Sequence, residues 1–219
     1  SPGTDILDLS VVTTTLTSPI NAGNTVYVTD GTNSIGSVAG LERLIGGKGN
    51  NTFVFANGAV FNGTIDDGTG GTNTLDYSAY STAVVVNLAT GTATGTTGTA
   101  DFDGISNFQN IIGGSAGDTL TGDGNANTID GRGGNDTVKG GSGADTLIGG
   151  TGADTFSYAF DNSSGKNDYS WGDDTINAGS GSDILDLSAI SKADLTLTFT
   201  FHADGTFSVS DGTNTLSNV

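Results

Sequence analysis

Between residues 113 and 157 the chain carries one large apolar side chain at every ninth position. These side chains belong to Leu120, Ile129, Val138, Leu147 and Phe156, and the positions between them hold mainly glycine and small or polar residues. A packed helix needs apolar residues every three or four positions, and glycine weakens a helix further. The pattern therefore excludes a helix and favours very short strands that bury one side chain each.

The same stretch divides into five consecutive nonapeptides, GGSAGDTLT, GDGNANTID, GRGGNDTVK, GGSGADTLI and GGTGADTFS. The sixth place of each unit holds an acidic or amide side chain, in order Asp118, Asn127, Asp136, Asp145 and Asp154. The glycine-rich first six residues permit tight turns with positive φ. The last three are long enough for a short strand with one side chain inward. Two nonapeptides then form one coil of eighteen residues.

Stacked coils place their sixth-place side chains in two columns. Strands of adjacent coils lie about 4.8 Å apart, so Asp118, Asp136 and Asp154 should form one column, and Asn127 and Asp145 the other. Two bare carboxylates at this spacing repel by about 0.9 kcal/mol in water and about 3.5 kcal/mol at an effective dielectric constant of 20. We therefore predict cations between the coils, and hard oxygen ligands favour Ca²⁺.

The nonapeptides resemble the RTX (repeats-in-toxin), or hemolysin-type, calcium-binding repeats, whose unit is G-G-x-G-x-D-x-U-x. GGSGADTLI and GGTGADTFS match this unit at every specified place. The resemblance implies a right-handed parallel β-roll, a form of β-solenoid, loaded with several calcium ions. We predict an all-β fold in which this roll is flanked by further strands and helix is almost absent.

The resemblance also implies a ligand set for each ion. One turn gives the carbonyls of its second and fourth places and its sixth side chain, and the turn one coil later gives the carbonyls of its first and third places and its own sixth side chain. The first predicted site comprises Gly114, Ala116 and Asp118 with Gly131, Gly133 and Asp136. The second comprises Asp123, Asn125 and Asn127 with Gly140, Ser142 and Asp145. The third comprises Arg132, Gly134 and Asp136 with Gly149, Thr151 and Asp154. Asn127 lacks a charge, so we expect the second site to be the weakest.

Calcium binding is expected to accompany folding. One buried apolar side chain in nine residues is a small driving force compared with the entropy lost on ordering those residues. Ions that bind only the folded coils then contribute to stability directly.

Weaker copies of the unit lie outside the core roll of 113–157. In the strand-rich part, 1–112, isolated repeats at 46–54 and 68–76 carry Asn51 and Asn73 in the sixth place. Asp5, Asp174 and Asp183 are further candidate ligands. Residues 158–172 are predicted to be a polar loop, and 158–219 should contain strands and a hairpin. No Pro-rich or charged linker interrupts the chain, so we predict one continuous solenoid over 1–219.

The two ends of the chain resemble each other. GTDILDLS at 3–10 recurs as GSDILDLS at 181–188, and VTDGTNSIGSV at 28–38 recurs as VSDGTNTLSNV at 209–219. Two interpretations stay open: an array with a period near 180 residues, or similar blocks on either side of each roll. Both allow head-to-tail association of copies or of neighbouring repeats. The termini show no obvious secretion signal, so we expect a piece of a longer protein.

Composition narrows the choice of partners. The chain has 24 acidic and 6 basic residues and a formal net charge of −18, which argues against nucleic acid and anionic lipid. It has no cysteine, so disulfides and thiolate zinc sites are excluded. No run of apolar residues is long enough for a membrane-spanning helix.

These observations predict a non-catalytic calcium-binding module of a secreted or cell-surface bacterial protein. We expect a stalk, adhesin segment or surface-layer unit that stiffens in extracellular calcium, exported by type I secretion as in proteins that resemble this family. One alternative is the accessory domain of a secreted hydrolase or epimerase. Another is ice or polysaccharide recognition through Thr90, Thr92 and Thr94. The sequence leaves the surface or glycan target of an adhesin open.

Overall fold

The computed structural model describes residues 3–96, 104–159, 172–190, 198–202, 206–210, 215–217 and 219. These residues form twenty-two strands and no helix, which confirms the all-β prediction. Consequently none of them belongs to a long apolar helix able to cross a membrane. The strands are β1 (Ile6–Asp8), β2 (Thr17–Asn21), β3 (Thr25–Thr29), β4 (Ser34–Ala39), β5 (Arg43–Ile45), β6 (Thr52–Phe55), β7 (Thr64–Asp66), β8 (Thr74–Asp76), β9 (Val85–Asn87), β10 (Thr92–Ala93), β11 (Ile105–Ser106), β12 (Asn110–Ile112), β13 (Thr119–Thr121), β14 (Thr128–Asp130), β15 (Thr137–Lys139), β16 (Thr146–Thr151), β17 (Thr155–Ala159), β18 (Asp174–Ser180), β19 (Ile184–Ala189), β20 (Thr198–Phe201), β21 (Phe207–Ser210) and β22 (Thr215–Ser217).

The strands of the nonapeptides alternate between two parallel sheets. Strands β13, β15 and β17 lie in one sheet and β14 and β16 in the other. Pairing partners such as Leu120 and Val138, or Ile129 and Leu147, are eighteen residues apart. The predicted coil of two nonapeptides is therefore confirmed, and the fold is a β-roll built of stacked coils.

Three sheets make up the described structure. The largest has twelve strands in the order β20-β21-β22-β18-β16-β14-β12-β8-β6-β2-β3-β4. A six-stranded sheet has the order β10-β9-β13-β15-β17-β19, and a four-stranded sheet has the order β1-β5-β7-β11. Pairing is parallel except in the short β9–β10 hairpin and within the terminal groups β2–β4 and β20–β22.

The core of the roll is two facing columns of single apolar side chains. Leu120, Ile129, Val138, Leu147 and Phe156 are at most 1 % exposed, while the residues on either side of each of them point outward. This is the arrangement that period-two alternation over a three-residue strand produces. The two large residues of one coil therefore pack against each other and against the large residues of the adjacent coils.

The N-terminal half has a wider, aromatic core. The rings of Phe55 and Tyr77 stack with centroids 4.6 Å apart, and Tyr80 packs edge-on against Tyr77 at 5.2 Å. The hydroxyl of Tyr77 donates to the Thr94 carbonyl at 2.8 Å, and that of Tyr80 to the Ala59 carbonyl at 2.5 Å. Large aromatic residues bury much more surface than the single residues of a nonapeptide, so this half has its own source of stability.

Antiparallel strands occupy both ends of the twelve-stranded sheet. The predicted hairpin is confirmed by the pairing of β20 with β21, although Leu195 and Leu197, also expected in strands, lie outside the described residues. The predicted polar loop at 158–172 starts too early, because β17 continues to Ala159 and Tyr158 is buried. Residues 160–171 lie outside the described residues.

Candidate calcium sites in the stacked turns

The sixth-place aspartates of the first column form a ladder along the roll. The amide of Asp118 donates to Oδ1 of Asp136 at 2.8 Å, and the amide of Asp136 donates to Oδ1 of Asp154 at 2.8 Å. The amide of Asp154 donates in turn to Oδ1 of Asp183 at 2.9 Å. The predicted column is confirmed, and Asp183 extends it by one coil.

The second column repeats this arrangement on the opposite edge. The amide of Asn127 donates to Oδ1 of Asp145, and the amide of Asp145 donates to Oδ1 of Asp174, both at 2.8 Å. In both columns one carboxylate oxygen is therefore committed to the coil before it. The other oxygen, Oδ2, lies over the first glycine of the same unit in Asp118, Asp136, Asp145 and Asp154.

That second oxygen is buried without a partner in three aspartates of the roll. Oδ2 of Asp136, of Asp145 and of Asp154 is inaccessible to solvent and accepts no hydrogen bond from the described residues. A buried polar atom without a partner costs about 1 to 3 kcal/mol, and more if it is charged. Carboxylate oxygens in this state are suited to a hard cation, so the residues present fit calcium.

Burial also makes these carboxylates harder to ionise without a cation. Desolvation raises the pKa of Asp136 to about 6, with the charges of Asp118 and Asp154 adding to the effect. Desolvation raises the pKa of Asp145 to about 7, with the nearby Asp174 charge contributing. The pKa values of Asp118 and Asp154 are raised for the same reason. A divalent ion beside these oxygens would favour their ionised form.

The turns that carry the predicted ligands lie directly over one another. A Cβ atom added to Gly134 would stand 2.3 Å from the Ala116 carbonyl carbon, and one added to Gly143 would stand 2.6 Å from the Asn125 oxygen. Some of the predicted carbonyl ligands already accept hydrogen bonds between coils: Arg132 from the Thr151 amide and Asp123 from the Ser142 amide. A carbonyl has two lone pairs, so these bonds leave one free, and the ligand sets stay predictions.

Side chains alone do not complete any of the sites. Among the described residues, no three His, Cys, Asp or Glu side chains gather at one point. Each predicted set contains at most two sixth-place carboxylates together with turn carbonyls.

A comparison of the sequence with protein-family models finds the RTX calcium-binding nonapeptide repeat. It matches residues 104–138, 112–147, 121–156, 132–163 and 170–189. Residues 104–163 and 170–189 therefore carry RTX calcium-binding repeats. The match includes Asp174 and Asp183, which the carboxylate ladders place in the two columns. A comparison of the whole chain with curated proteins finds no match.

The first glycine of each RTX unit allows the sixth-place carboxylate to fold back over its own turn. A Cβ atom on Gly131 would be 2.4 Å from Oδ2 of Asp136 and 2.8 Å from the Gly149 carbonyl oxygen. The same contact recurs for Gly140 with Asp145, at 2.2 Å. Glycine is needed at this place because any side chain would displace the carboxylate.

We expect Gly131→Ala to lower the thermal stability of the calcium-loaded protein by about 1 to 3 kcal/mol, the usual cost of forcing an extra methyl group into a packed site. Differential scanning calorimetry at saturating calcium would measure the change. Gly124→Ala is the matched control, because a Cβ atom there has no neighbour within 4 Å. Equal melting temperatures for the two variants would contradict this role of Gly131.

Asparagine in the sixth place uses its amide group where aspartate has a bare oxygen. Nδ2 of Asn51 donates to the Gly47 carbonyl at 3.1 Å and to Oδ1 of Asp67 at 2.9 Å. Nδ2 of Asn73 donates to the carbonyls of Gly70 and Asn107, both at 3.1 Å. An N–H donor thus satisfies oxygens of these turns without an ion. We therefore interpret the isolated repeats at 46–54 and 68–76 as structural turns.

Asn127 has the same arrangement inside the RTX roll. Its Nδ2 donates to the Gln109 carbonyl at 3.0 Å and to Oδ1 of Asp123 at 3.3 Å. We expect Asn127→Asp to strengthen calcium binding roughly tenfold, or about 1.4 kcal/mol, because it adds a carboxylate to the predicted second site. Calorimetric titration would measure the change. Asn125→Asp adds the same charge on an exposed side chain of that turn; an equal gain there would show that only net charge matters.

Three acidic residues make contacts that the sequence did not predict: Asp67 and Glu42 lie outside the RTX match, and Asp174 lies within it. Asp67 is fully buried, its Oδ2 accepts no hydrogen bond from the described residues, and burial raises its pKa to about 8. Asp174 accepts a hydrogen bond at Oδ2 from the Tyr158 hydroxyl at 2.8 Å. Glu42 accepts the Asp5 amide at 2.7 Å. Only Asp174 had a signal in the sequence, namely its spacing of nine residues from Asp183.

Proposed function

We propose that the chain is a calcium-binding structural module of a secreted or cell-surface protein and has no catalytic activity of its own. The observation that supports this most directly is the row of buried Oδ2 atoms on Asp136, Asp145 and Asp154, which accept no hydrogen bond from the described part of the chain. They lie among the residues that match RTX calcium-binding repeats. A carboxylate kept out of water without a partner is costly, and a cation removes that cost.

The two carboxylate oxygens of each ladder aspartate would have different roles. Oδ1 holds the amide of the preceding coil, as Asp136 holds Asp118, which fixes the height of the turn. Oδ2 and the predicted turn carbonyls would hold the ion. Calcium would supply positive charge between two coils whose aspartates otherwise repel each other. The aspartates of one column would then favour stacking.

Folding would depend on the compartment. Extracellular modules typically bind calcium in the range of about 10⁻⁴ to 10⁻³ M, so the roll would stay loose before export and stiffen outside the cell. A stiff, acidic rod suits a stalk, an adhesin segment or a surface-layer unit. The same property suits an accessory domain that helps a secreted hydrolase or epimerase to fold.

Thr90, Thr92 and Thr94 form a less suitable ligand-binding surface than the sequence suggests. The Thr94 hydroxyl accepts a hydrogen bond from the Val85 amide at 2.8 Å and donates to the Val85 carbonyl at 3.2 Å. The hydroxyls of Thr90 and Thr92 lie 3.1 Å apart and bond to each other. These contacts leave no regular row of free hydroxyls at the three positions, so we do not favour ice or polysaccharide recognition there.

Isothermal titration of the chelator-treated protein with calcium would test the proposal. We expect several ions to bind per chain, and magnesium to produce a much weaker response because it tolerates irregular oxygen sites poorly. Absence of calcium binding at millimolar concentration would reject the proposed function. Binding of similar strength for both ions would instead reject the predicted ligand geometry.

A further inference from the structure

The two ends of the chain carry the same three-stranded antiparallel meander. In the N-terminal meander Thr17 pairs with Thr29 and Ile20 with Val26. In the C-terminal meander Thr198 pairs with Ser210 and Phe201 with Phe207. The third strands also agree, since Val28 pairs with Ile35 as Val209 pairs with Leu216. These are the same register positions displaced by 181 residues, so β2–β3–β4 and β20–β21–β22 are structural equivalents.

The two meanders join the roll through opposite edges. The N-terminal meander uses its first strand, because β2 pairs in parallel with β6. The C-terminal meander uses its third strand, because β22 pairs in parallel with β18. The first strand of the meander is paired with the roll in β2, but its equivalent β20 ends the sheet. The third strand is paired with the roll in β22, but its equivalent β4 ends the sheet. One meander of this sequence can hold a coil on each side.

The repeated strands beside the meanders are complementary in the same way. β1 pairs in parallel with β5, which places Leu7 beside Leu44. β19 pairs in parallel with β17, which places its equivalent, Leu185, beside Phe156. Both leucines are only half-buried, whereas Leu44 and Phe156 are at most 1 % exposed. Among the described strands, Leu7 has a strand neighbour on one side only and Leu185 on the other side only.

The two ends of the carboxylate ladder are also complementary. The Asp154 amide donates to Oδ1 of Asp183 at the C-terminal end. Asp5, the equivalent of Asp183, donates its own amide to Oε2 of Glu42 at the N-terminal end. A residue in this place can therefore accept from the coil before it and donate to the coil after it. Glu42 fills the sixth place of that following coil.

We propose that the C-terminal block, made of β19 and the meander β20–β22, is a docking surface for a second copy of this chain. Its partner is the coil formed by β5 and β6 of that copy. The docked coil would lie on β19 and β20 with the registers that β5 and β6 have on β1 and β2, so that Phe156, Leu185 and the second copy's Leu44 form one apolar row.

The N-terminal block of the second copy, residues 3–39, competes with the docking surface for the coil formed by β5 and β6. Residues 3–39 of the second copy already cover its β5 and β6, and being part of the same chain gives them a high effective concentration. The unmodified protein should therefore be a monomer of 21.7 kDa. Head-to-tail assembly requires the N-terminal block to leave its place.

The test uses the full chain with Leu7→Asp and Ile20→Asp, both in calcium. These substitutions put charges beside Leu44 and Phe55, at two contacts of the N-terminal block, and leave β5 and β6 intact. We expect the mass from light scattering to at least double as protein concentration rises, while the unmodified chain stays monomeric. Added unmodified chain should shorten the assemblies, since it offers a C-terminal block but a covered coil.

A third substitution is the control for specificity. Leu185→Asp added to the pair should restore the monomer, because it damages the C-terminal docking strand. Assembly that persists in this triple variant would indicate unspecific association and overturn the proposal. Leu7→Ala with Ile20→Ala weakens the same block without burying a charge, and covers the case in which the aspartates prevent folding. Monomers for both double variants at every concentration would also overturn it, whatever their calcium binding.

Discussion

Removal of calcium by a chelator is expected to abolish most of the β structure of the RTX roll and to spare the aromatic N-terminal half. The roll buries one large side chain per nonapeptide. Its Asp136, Asp145 and Asp154 each keep a buried oxygen that has no hydrogen-bond partner among the residues the structure describes. Without an ion these groups must be protonated or exposed to water, and either route weakens the stack. Around Phe55, Tyr77 and Tyr80 the aromatic rings pack directly against one another, so we expect this core to persist without an ion.

Hydrogen exchange followed by mass spectrometry would locate this effect. Amides of 113–157 should exchange slowly with calcium and rapidly in chelator, while those of 52–80 should stay protected in both. Far-UV circular dichroism during a calcium titration should show a cooperative gain of β signal that magnesium does not reproduce. An unchanged spectrum in chelator would mean that the flanking strands keep the roll folded without calcium. The prediction that calcium binding accompanies folding would then be wrong.

The second large effect is expected from Asp136→Asn. Asp136 belongs to the first and the third predicted site, so one substitution removes a charge from both. Asparagine keeps an oxygen that can accept the Asp118 amide, so the ladder survives and the loss is confined to the ion. We expect the calcium midpoint of folding to rise roughly tenfold or more, which corresponds to at least about 1.4 kcal/mol.

Asp130→Asn is the matched control for Asp136→Asn. Asp130 lies nearby, just before the turn that carries Asp136, and its Oδ1 accepts the Arg132 amide. The two variants have the same net charge, so a general electrostatic effect would shift both titrations equally. If both midpoints rise equally, Asp136 has no special role and the predicted ligand sets are wrong. Circular dichroism at several calcium concentrations suffices for the comparison.

The regular part of the fold could be predicted because two independent periods coincide there. A large apolar residue such as Leu120 and an acidic residue such as Asp118 both recur with a period of nine, and stacking then fixes which residues are neighbours. The direction of each Oδ2 could not be predicted in this way. It depends on the fold-back of the carboxylate over the first glycine of its turn, which is a contact within one unit.

The strand pairing of the N-terminal half could not be predicted because its coils differ in length. Arg43 pairs with Thr64, a separation of 21 residues, whereas Thr74 pairs with Asn110, a separation of 36. Between Thr74 and Asn110 the chain also forms β9, β10 and β11, which pair within the other two sheets. Consequently no fixed period marks the partners, and the burial of Asp67 beside Gly46 becomes visible only when the register is known.

The stacking of parallel coils also determines how the protein responds to force. The hydrogen bonds between strands run from coil to coil, along the direction of stacking, so a pull in that direction loads successive coils in series. The coil with the weakest contacts opens first. A coil of eighteen residues rises only about 4.8 Å in the stack but spans about 60 Å when extended. Each opening would therefore add length many times the coil's own height, and the roll would serve as an extensible tether whose resistance depends on the calcium around it.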